Sequence, residues 1–431
     1  MHKYLKNIWL PYTQMKGFTN VDKAVKTSET EIFLENEKKL IDGISSWWTV
    51  CHGYNNKHIT KQIIKQLNVM PHVMFGGLVH NQAITLAKRI SKLLKNNLEK
   101  VFFCDSGSVS IEIALKMSIQ FWINKGKRNK NRFVHFWNGY HGDTSGAMSV
   151  CDPDEGMHSI FKKNLQKNII TKLPESSEEK NIFEKVIKKN KDQLAGIIVE
   201  PLIQCAGGMK IHHPEVLDYL NIISKKYKVL LIYDEIATGF GRTGTMFAFQ
   251  QTNSAPDIIC LGKALTGGFL SLAATVATKN VFNAFLGDKY GLELMHGPTY
   301  MANALACAAA NASLDIFEKK NILQKVKKIE DFFISELNKF QEFKEVQNVR
   351  VKGAVGVIEL RSIPAKDLKW LKKEFLKEGV WIRPLRNVIY FMPAFNITMK
   401  KLQLIIDATF RVLKRMELKK SNEKYKKQTV K

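Results

Sequence analysis

The sequence predicts an α/β protein, with a large unit built on a mostly parallel sheet flanked by helices and a smaller α+β unit beside it. From about Lys100 onward, short apolar runs of strand length alternate with helical patterns. After the Ala-rich stretch from Ala302 to Ala312 the pattern changes to a long polar helical stretch, shorter strand-like runs and a closing helix. With 431 residues, the chain is long enough to bury a core in each of two such units.

Taken in chain order, Glu31 to Asp42 alternates like a hairpin through Ile32, Leu34 and Leu40, and is expected to pack with the distant C-terminal unit. The runs Val101 to Cys104, Phe133 to Phe136, Ala195 to Val199, Val229 to Tyr233 and Ile258 to Leu261 read as buried strands. A helix following Ser108 gathers Ile111, Ala114, Leu115, Ser118 and Trp122 on one side and is apolar around much of its girth, so it should be buried. Val349 to Leu360, a helix near Leu368 to Lys377 and a strand pair around Trp381 to Phe391 make up the second unit. The expected division is 1–50 with the small domain, 51–319 as the large domain, 320–415 completing the small one, and 416–431 as a frayed basic tail.

Composition narrows the function classes. At 45% hydrophobic and 25% charged the chain reads as globular, while 66 basic against 40 acidic residues leave a net charge of +26. A nucleic-acid binder would gather that charge into a patch, but lysines such as Lys369, Lys372, Lys373 and Lys377 are spread along polar helix faces. No nucleic-acid partner is expected. The six cysteines lack a C-x-x-C spacing and suit a reducing compartment. Met1 to Tyr12 lacks the apolar stretch of a secretory signal, and no apolar run reaches membrane-spanning length, so a soluble cytoplasmic protein without a membrane partner is expected. Adjacent His212 and His213 give no zinc signature, and no metal is expected.

Three short segments carry the chemistry. The apolar run Val229 to Tyr233 ends in Asp234-Glu235, which sets carboxylates at the carboxyl end of a buried strand, where open α/β sheets bind ligands. Ile258 to Leu261 ends in Gly262-Lys263, where an amine projects at the same edge. Asp105-Ser-Gly-Ser108 lies between a strand and the buried helix; its small residues let the backbone approach a phosphate, and the helix N-terminus supplies free N–H groups. Ser106 or Ser108 equally suits a plain N-cap. A phosphate cradle, a buried acid and a lysine at neighbouring strand ends suit pyridoxal phosphate: the acid keeps the pyridine nitrogen protonated, and the lysine forms the imine and later moves the proton. Aromatic Tyr140 and the pair Trp47-Trp48 suit stacking on a planar group. Either Arg242 or Arg383 could meet a substrate carboxylate through the guanidinium fork.

These residues resemble the class III aminotransferases, on the strength of Asp234-Glu-Ile-Ala-Thr-Gly-Phe-Gly-Arg-Thr-Gly244 and Leu261-Gly-Lys-Ala-Leu-Thr-Gly-Gly268. Further marks are similar to those of the adenosylmethionine-8-amino-7-oxononanoate aminotransferase subfamily of biotin synthesis. They include Trp9-Leu-Pro-Tyr-Thr-Gln-Met15, Ser45-Ser-Trp-Trp48, Asn138-Gly-Tyr-His-Gly-Asp-Thr144, His296-Gly-Pro-Thr299 and Trp381-Ile-Arg-Pro384.

The resemblance implies fold-type I, with a seven-stranded sheet, and a homodimer with its active site at the subunit interface. It implies that Lys263 forms a Schiff base with pyridoxal phosphate, that Asp234 pairs with the pyridine nitrogen, that Gly107 and Ser108 bind the phosphate, and that Tyr140 stacks by the cofactor. Pro298 and Thr299 would reach the phosphate from the partner subunit. Tyr12, Trp47 and Gly297 would line the substrate slot, and Arg383 would meet the keto acid. The implied reaction is ping-pong through pyridoxamine phosphate, from S-adenosylmethionine to 8-amino-7-oxononanoate, giving 7,8-diaminononanoate. Departures from the pattern are Leu78-Val-His after Gly77, Cys205 where a glycine is expected, and the bulky Phe269-Leu270.

Overall fold

The structure is a computed structural model that describes residues 3–16, 18, 21–154 and 158–428. The chain begins with an antiparallel meander, β1 (Ala24–Ser28), β2 (Glu31–Leu34) and β3 (Lys39–Asp42), followed by a single turn, α1 (Ser45–Trp48), and the helices α2 (Lys57–Leu67) and α3 (Asn81–Leu94). Strands and helices then alternate through β4 (Leu98–Cys104), α4 (Gly107–Asn124), β5 (Arg132–Phe136), α5 (Ser145–Ser149), β6 (Ile169–Thr171), α6 (Ser177–Asn190) and β7 (Leu194–Val199). A short pair, β8 (Ile203–Gln204) and β9 (Lys210–Ile211), precedes α7 (Glu215–Tyr227), β10 (Leu230–Asp234), β11 (Ile258–Leu261), β12 (Ala273–Thr278) and α8 (Lys279–Asn283). The remainder comprises α9 (Ala304–Lys319), α10 (Ile322–Leu337), β13 (Val346–Lys352), β14 (Val355–Leu360), α11 (Ala365–Lys377), β15 (Val380–Trp381), β16 (Val388–Phe391) and α12 (Met399–Gln428).

The large sheet has seven strands in the order β4-β12-β11-β10-β7-β5-β6, and all are parallel except β12, which runs against both neighbours. The strands expected at its centre are there because their sequences suit burial on both faces: every residue of β7, β10 and β11 is buried. Helix α4 covers one face, burying the expected Ile111, Ala114, Leu115 and Trp122. It is pinned by two side chains: Trp122 Nε1 donates to the Ala195 carbonyl at 2.8 Å, and Ser110 Oγ to that of Ala274 at 3.0 Å. Because β12 alone is reversed, the carboxyl ends of β4, β5, β7, β10 and β11 open onto one edge.

The second set of sheets draws on both ends of the chain. Strand β3 pairs in parallel with β15, Ile41 opposite Val380 and Asp42 opposite Trp381, and β13, β14 and β16 form an antiparallel sheet.

The basic tail differs from the expectation of fraying. Helix α12 continues through it because Met416 is buried, Lys419 Nζ meets Asp367 Oδ1 at 2.6 Å and Lys420 pairs with Glu345. Residues 429–431, with Lys431, lie outside the described residues. No helix among the described residues is long and apolar enough to cross a membrane.

Candidate active site

Five strand ends supply one cavity of about 170 Å³, whose walls include Gly107, Ser108, Tyr140, His141, Asp234 and Lys263 together with Trp48, Glu200 and Cys205. The turn after β4 is shaped for close approach. Ser106 is the N-cap of α4, accepting from the Val109 N–H at 3.4 Å, and both it and Ser108, whose Oγ accepts from the Asp143 N–H at 3.2 Å, line the cavity. A Cβ at Gly107 would stand 2.9 Å from Ile236 Cγ2. One at Gly142, whose φ of +132° is itself costly for other residues, would stand 2.2 Å from Ser108 Oγ. Both glycines therefore keep the mouth of an 18-residue helix N-terminus open, where free N–H groups and the helix dipole favour an anion.

Asp234 closes β10 as a buried carboxylate. Its Oδ2 lies 2.7 Å from His141 Nδ1, and its Oδ1 accepts from the Ile236 N–H at 3.1 Å. The strand order brings His141 from the loop after β5 onto the acid. Glu200, which follows β7 much as Asp234 ends β10, was not singled out from the sequence. It accepts from the backbone N–H groups of Tyr140 at 3.0 Å and Cys205 at 2.9 Å, and burial pushes its carboxyl up to about 7. Its position at the end of the fully apolar run from Ala195 to Val199 was the available signal. Glu235 instead does structural work, accepting from Ala248 N at 2.9 Å, Phe249 N at 2.8 Å and Thr238 Oγ1 at 3.1 Å.

Lys263 follows β11 with a φ of 44°, and its Nζ lies 4.8 Å from the Trp48 ring centroid. No hydrogen bond or ion pair to this amine occurs among the described residues. Burial lowers its pKa, opposed chiefly by the negative field of Asp234. An unpaired amine, a carboxylate fixed by a histidine and an open helix N-terminus together fit a planar, phosphorylated aldehyde such as pyridoxal phosphate.

The indole against that amine belongs to Trp48, not to Trp47. Residues Ser45, Ser46, Trp47 and Trp48 have φ values of 45°, 47°, 54° and 73°, so α1 is left-handed, a conformation that costs roughly 1–2 kcal/mol per residue. Buried Asp42 anchors it, accepting from Ile44 N at 2.9 Å and Ser46 N at 2.8 Å. Trp47 points to a more open region, 6.4 Å from the Tyr12 ring and 5.1 Å beneath the Arg383 guanidinium.

Arg383 also lies 6.0 Å from the Trp381 ring and has no ion pair among the described residues. Arg242, the other candidate, is buried, with its guanidinium on the Pro393 carbonyl at 2.7 Å and over the Phe395 ring. Tyr12, Tyr140 and His158 converge on Asp143: Tyr12 hydrogen-bonds its Oδ2, while Tyr140 Oη and His158 Nε2 reach Oδ1 at 3.0 and 2.7 Å. The His158 ring stacks on Tyr140 at 5.6 Å. Burial and the Asp143 carboxylate raise the Tyr12 phenol to about 12.

Gly297, Pro298 and Thr299 do not line this chain's cavity, and Gly297 and Thr299 are exposed. Cys205 does line it, as a buried thiol, whereas Leu78, Val79 and Leu270 are exposed.

Residues 16–413 match the family model for aminotransferase class-III. The chain belongs to the class-III aminotransferases. The adenosylmethionine-8-amino-7-oxononanoate aminotransferase of Buchnera aphidicola subsp. Schizaphis graminum is 42% identical over 409 residues, covering 93% of this chain and 94% of its own. A solved enzyme of the same name from Methanocaldococcus jannaschii DSM 2661 superposes with a TM-score of 0.91 at 34% identity, covering 95% of this class-III aminotransferase and 97% of that chain. A PLP-bound amine transaminase from an uncultivated Pseudomonas species has a TM-score of 0.87 at 26% identity, covering 95% of this chain and 99% of that one. The fold is that of a PLP transaminase, and class-III membership implies dependence on pyridoxal phosphate.

Proposed function

We propose that this aminotransferase moves the amino group of S-adenosylmethionine to 8-amino-7-oxononanoate, giving 7,8-diaminononanoate for biotin synthesis. The observation that carries the reading of the site is the Lys263 amine, buried without a hydrogen-bonding partner among the described residues, beside a fixed acid and an open helix N-terminus. The choice of substrates is supported by the names of relatives that match this chain along nine-tenths of its length.

Pyridoxal phosphate would supply an aldehyde that takes up an amine and a ring that accepts the electrons of a broken C–H bond. Gly107 and Ser108 would bind its phosphate with the α4 N-terminus. The Asp234 carboxylate, held by His141, would keep a proton on the ring nitrogen. Tyr140 would stack by the ring. Lys263 would hold the aldehyde and would move the proton at the reacting carbon; burial favours the neutral amine that this task needs. Arg383 receives the keto-acid carboxylate, and Tyr12, Trp47 and Gly297 form the walls around the substrates. Pro298 and Thr299 reach the phosphate of a second copy, making the working unit a homodimer with its site at the interface. Residues 51–319 serve as the cofactor-binding domain and 1–50 with 320–415 as the small domain. Six buried free thiols suit a cytoplasmic setting.

The test separates the two half-reactions. Purified enzyme mixed with S-adenosylmethionine alone should convert the bound cofactor to its aminated form, and 8-amino-7-oxononanoate should reverse the change. Amination by ornithine or glutamate with none from S-adenosylmethionine would assign the enzyme to another donor class.

A further inference from the structure

Helix α4 carries the phosphate turn at its N-terminus and, along its flank, the side chains that fasten the segment leading to Gly297, Pro298 and Thr299. Lys116, Gln120 and Asn124 are spaced by four residues and so lie along one stripe of the helix. Gln120 Nε2 donates to the carbonyls of Glu293 at 2.5 Å and Leu292 at 3.3 Å. Asn124 Nδ2 donates to Leu292 at 3.0 Å, and Lys116 Nζ to the Met295 carbonyl at 2.6 Å, with His296 Nδ1 at 3.2 Å. The Phe102 ring of β4 meets His296 edge-on at 6.2 Å, and Leu294 packs against the core beneath α4. Residues 292–296 have no regular secondary structure, so their carbonyls lack a helix or sheet ladder, and the α4 side chains take the place of one.

We infer that Lys116 and Gln120 are positioning residues for the cofactor site of a second copy of this chain, setting the height and angle at which the 297–299 arm is presented. One rigid helix thereby ties the phosphate turn a subunit uses to the loop it lends. The inference rests on the proposed homodimer with Pro298 and Thr299 acting across it.

Mixed dimers test this directly, with one subunit carrying Lys263→Ala so that only its partner's lysine can fix the cofactor. Cofactor at the intact lysine is trapped by borohydride reduction and counted by mass spectrometry as free pyridoxal phosphate is titrated. Gln120→Ala with Lys116→Met, placed in the Lys263→Ala subunit, should raise the half-saturating concentration at the other subunit's site roughly 5- to 20-fold, the size expected from losing one or two hydrogen bonds. Placed beside the intact lysine, the same changes should shift it less than about twofold, a split that a general folding defect would not produce. Gln120→Ala alone serves if the double variant melts early. Thr299→Ala acting across the interface while the α4 variants act only within their own subunit, or nowhere, would overturn the inference and leave the dimer reading intact. A monomer in sedimentation, or Thr299→Ala acting within its own subunit, would overturn both.

Discussion

His141 Nδ1 lies 2.7 Å from Asp234 Oδ2, and both side chains are buried at the carboxyl edge of the large sheet. With the Ile236 N–H on the other oxygen, the carboxylate is held from two sides and cannot rotate without breaking a charge-assisted bond.

His141→Ala should therefore lower kcat by roughly 10- to 100-fold, corresponding to about 1.5–3 kcal/mol for a hydrogen bond to a charged group, while cofactor is retained through Lys263 and the phosphate turn. Steady-state rates with a parallel count of bound cofactor check this. Unchanged kcat would show that the Ile236 N–H alone orients Asp234.

Arg383 stands over Trp47 with no carboxylate partner among the described residues, so it is free to receive one from a ligand. Arg383→Ala should raise KM for the keto acid roughly 10- to 100-fold and leave amination by S-adenosylmethionine within a few-fold of wild type. Single-turnover measurement of each half-reaction decides; equal losses in both would contradict the assignment.

Glu235 gives a stability prediction with a definite sign. Burial raises its carboxyl from 4.5 to about 7 in the folded chain. Between these values the folded state keeps a proton that the unfolded state releases, so its contribution is complete below pH 4.5 and is lost as pH rises through 7. Relative to wild type, Glu235→Gln should gain stability between pH 5 and pH 8, by at most about 3 kcal/mol. Denaturant melts of the apoprotein at both pH values measure it, and parallel pH dependences would refute it.

What was legible in the sequence follows from which residues carry a local signal. β10 and β11 announced themselves because strands buried on both faces must be continuously apolar, and the acid and the lysine that interrupt them stood out for that reason. β6, with three residues, and β12, reading Ala-Ala-Thr-Val-Ala-Thr, carry too little length or too little β-branched bulk to be seen alone. The seven-strand count therefore came from family resemblance. His141 and Glu200 were passed over as site residues because they meet the site only through strand order, which no periodicity encodes. Trp48 rather than Trp47 faces Lys263, in a turn whose four residues all have positive φ, a left-handed conformation that the apolar and aromatic pattern of the segment does not announce. The tail misled for a complementary reason: its lysines looked solvated, but Asp367 and Glu345, far back in the chain, were waiting for them.

The pairing of Ile41 with Val380 has a consequence for synthesis. At ribosomal rates of about 5–20 residues per second, roughly 20 to 70 s separate the two partners. During that interval the β1–β3 meander has an unpaired edge at β3, and α1, which follows directly from it, lacks the Met392 carbonyl that accepts the Ser45 hydroxyl. The wall that bears Trp47 and Trp48 is thus among the last parts of the molecule to set, and a nascent chain stalled before residue 380 would hold Asp234 and Lys263 in a finished sheet beside a substrate slot still missing one side.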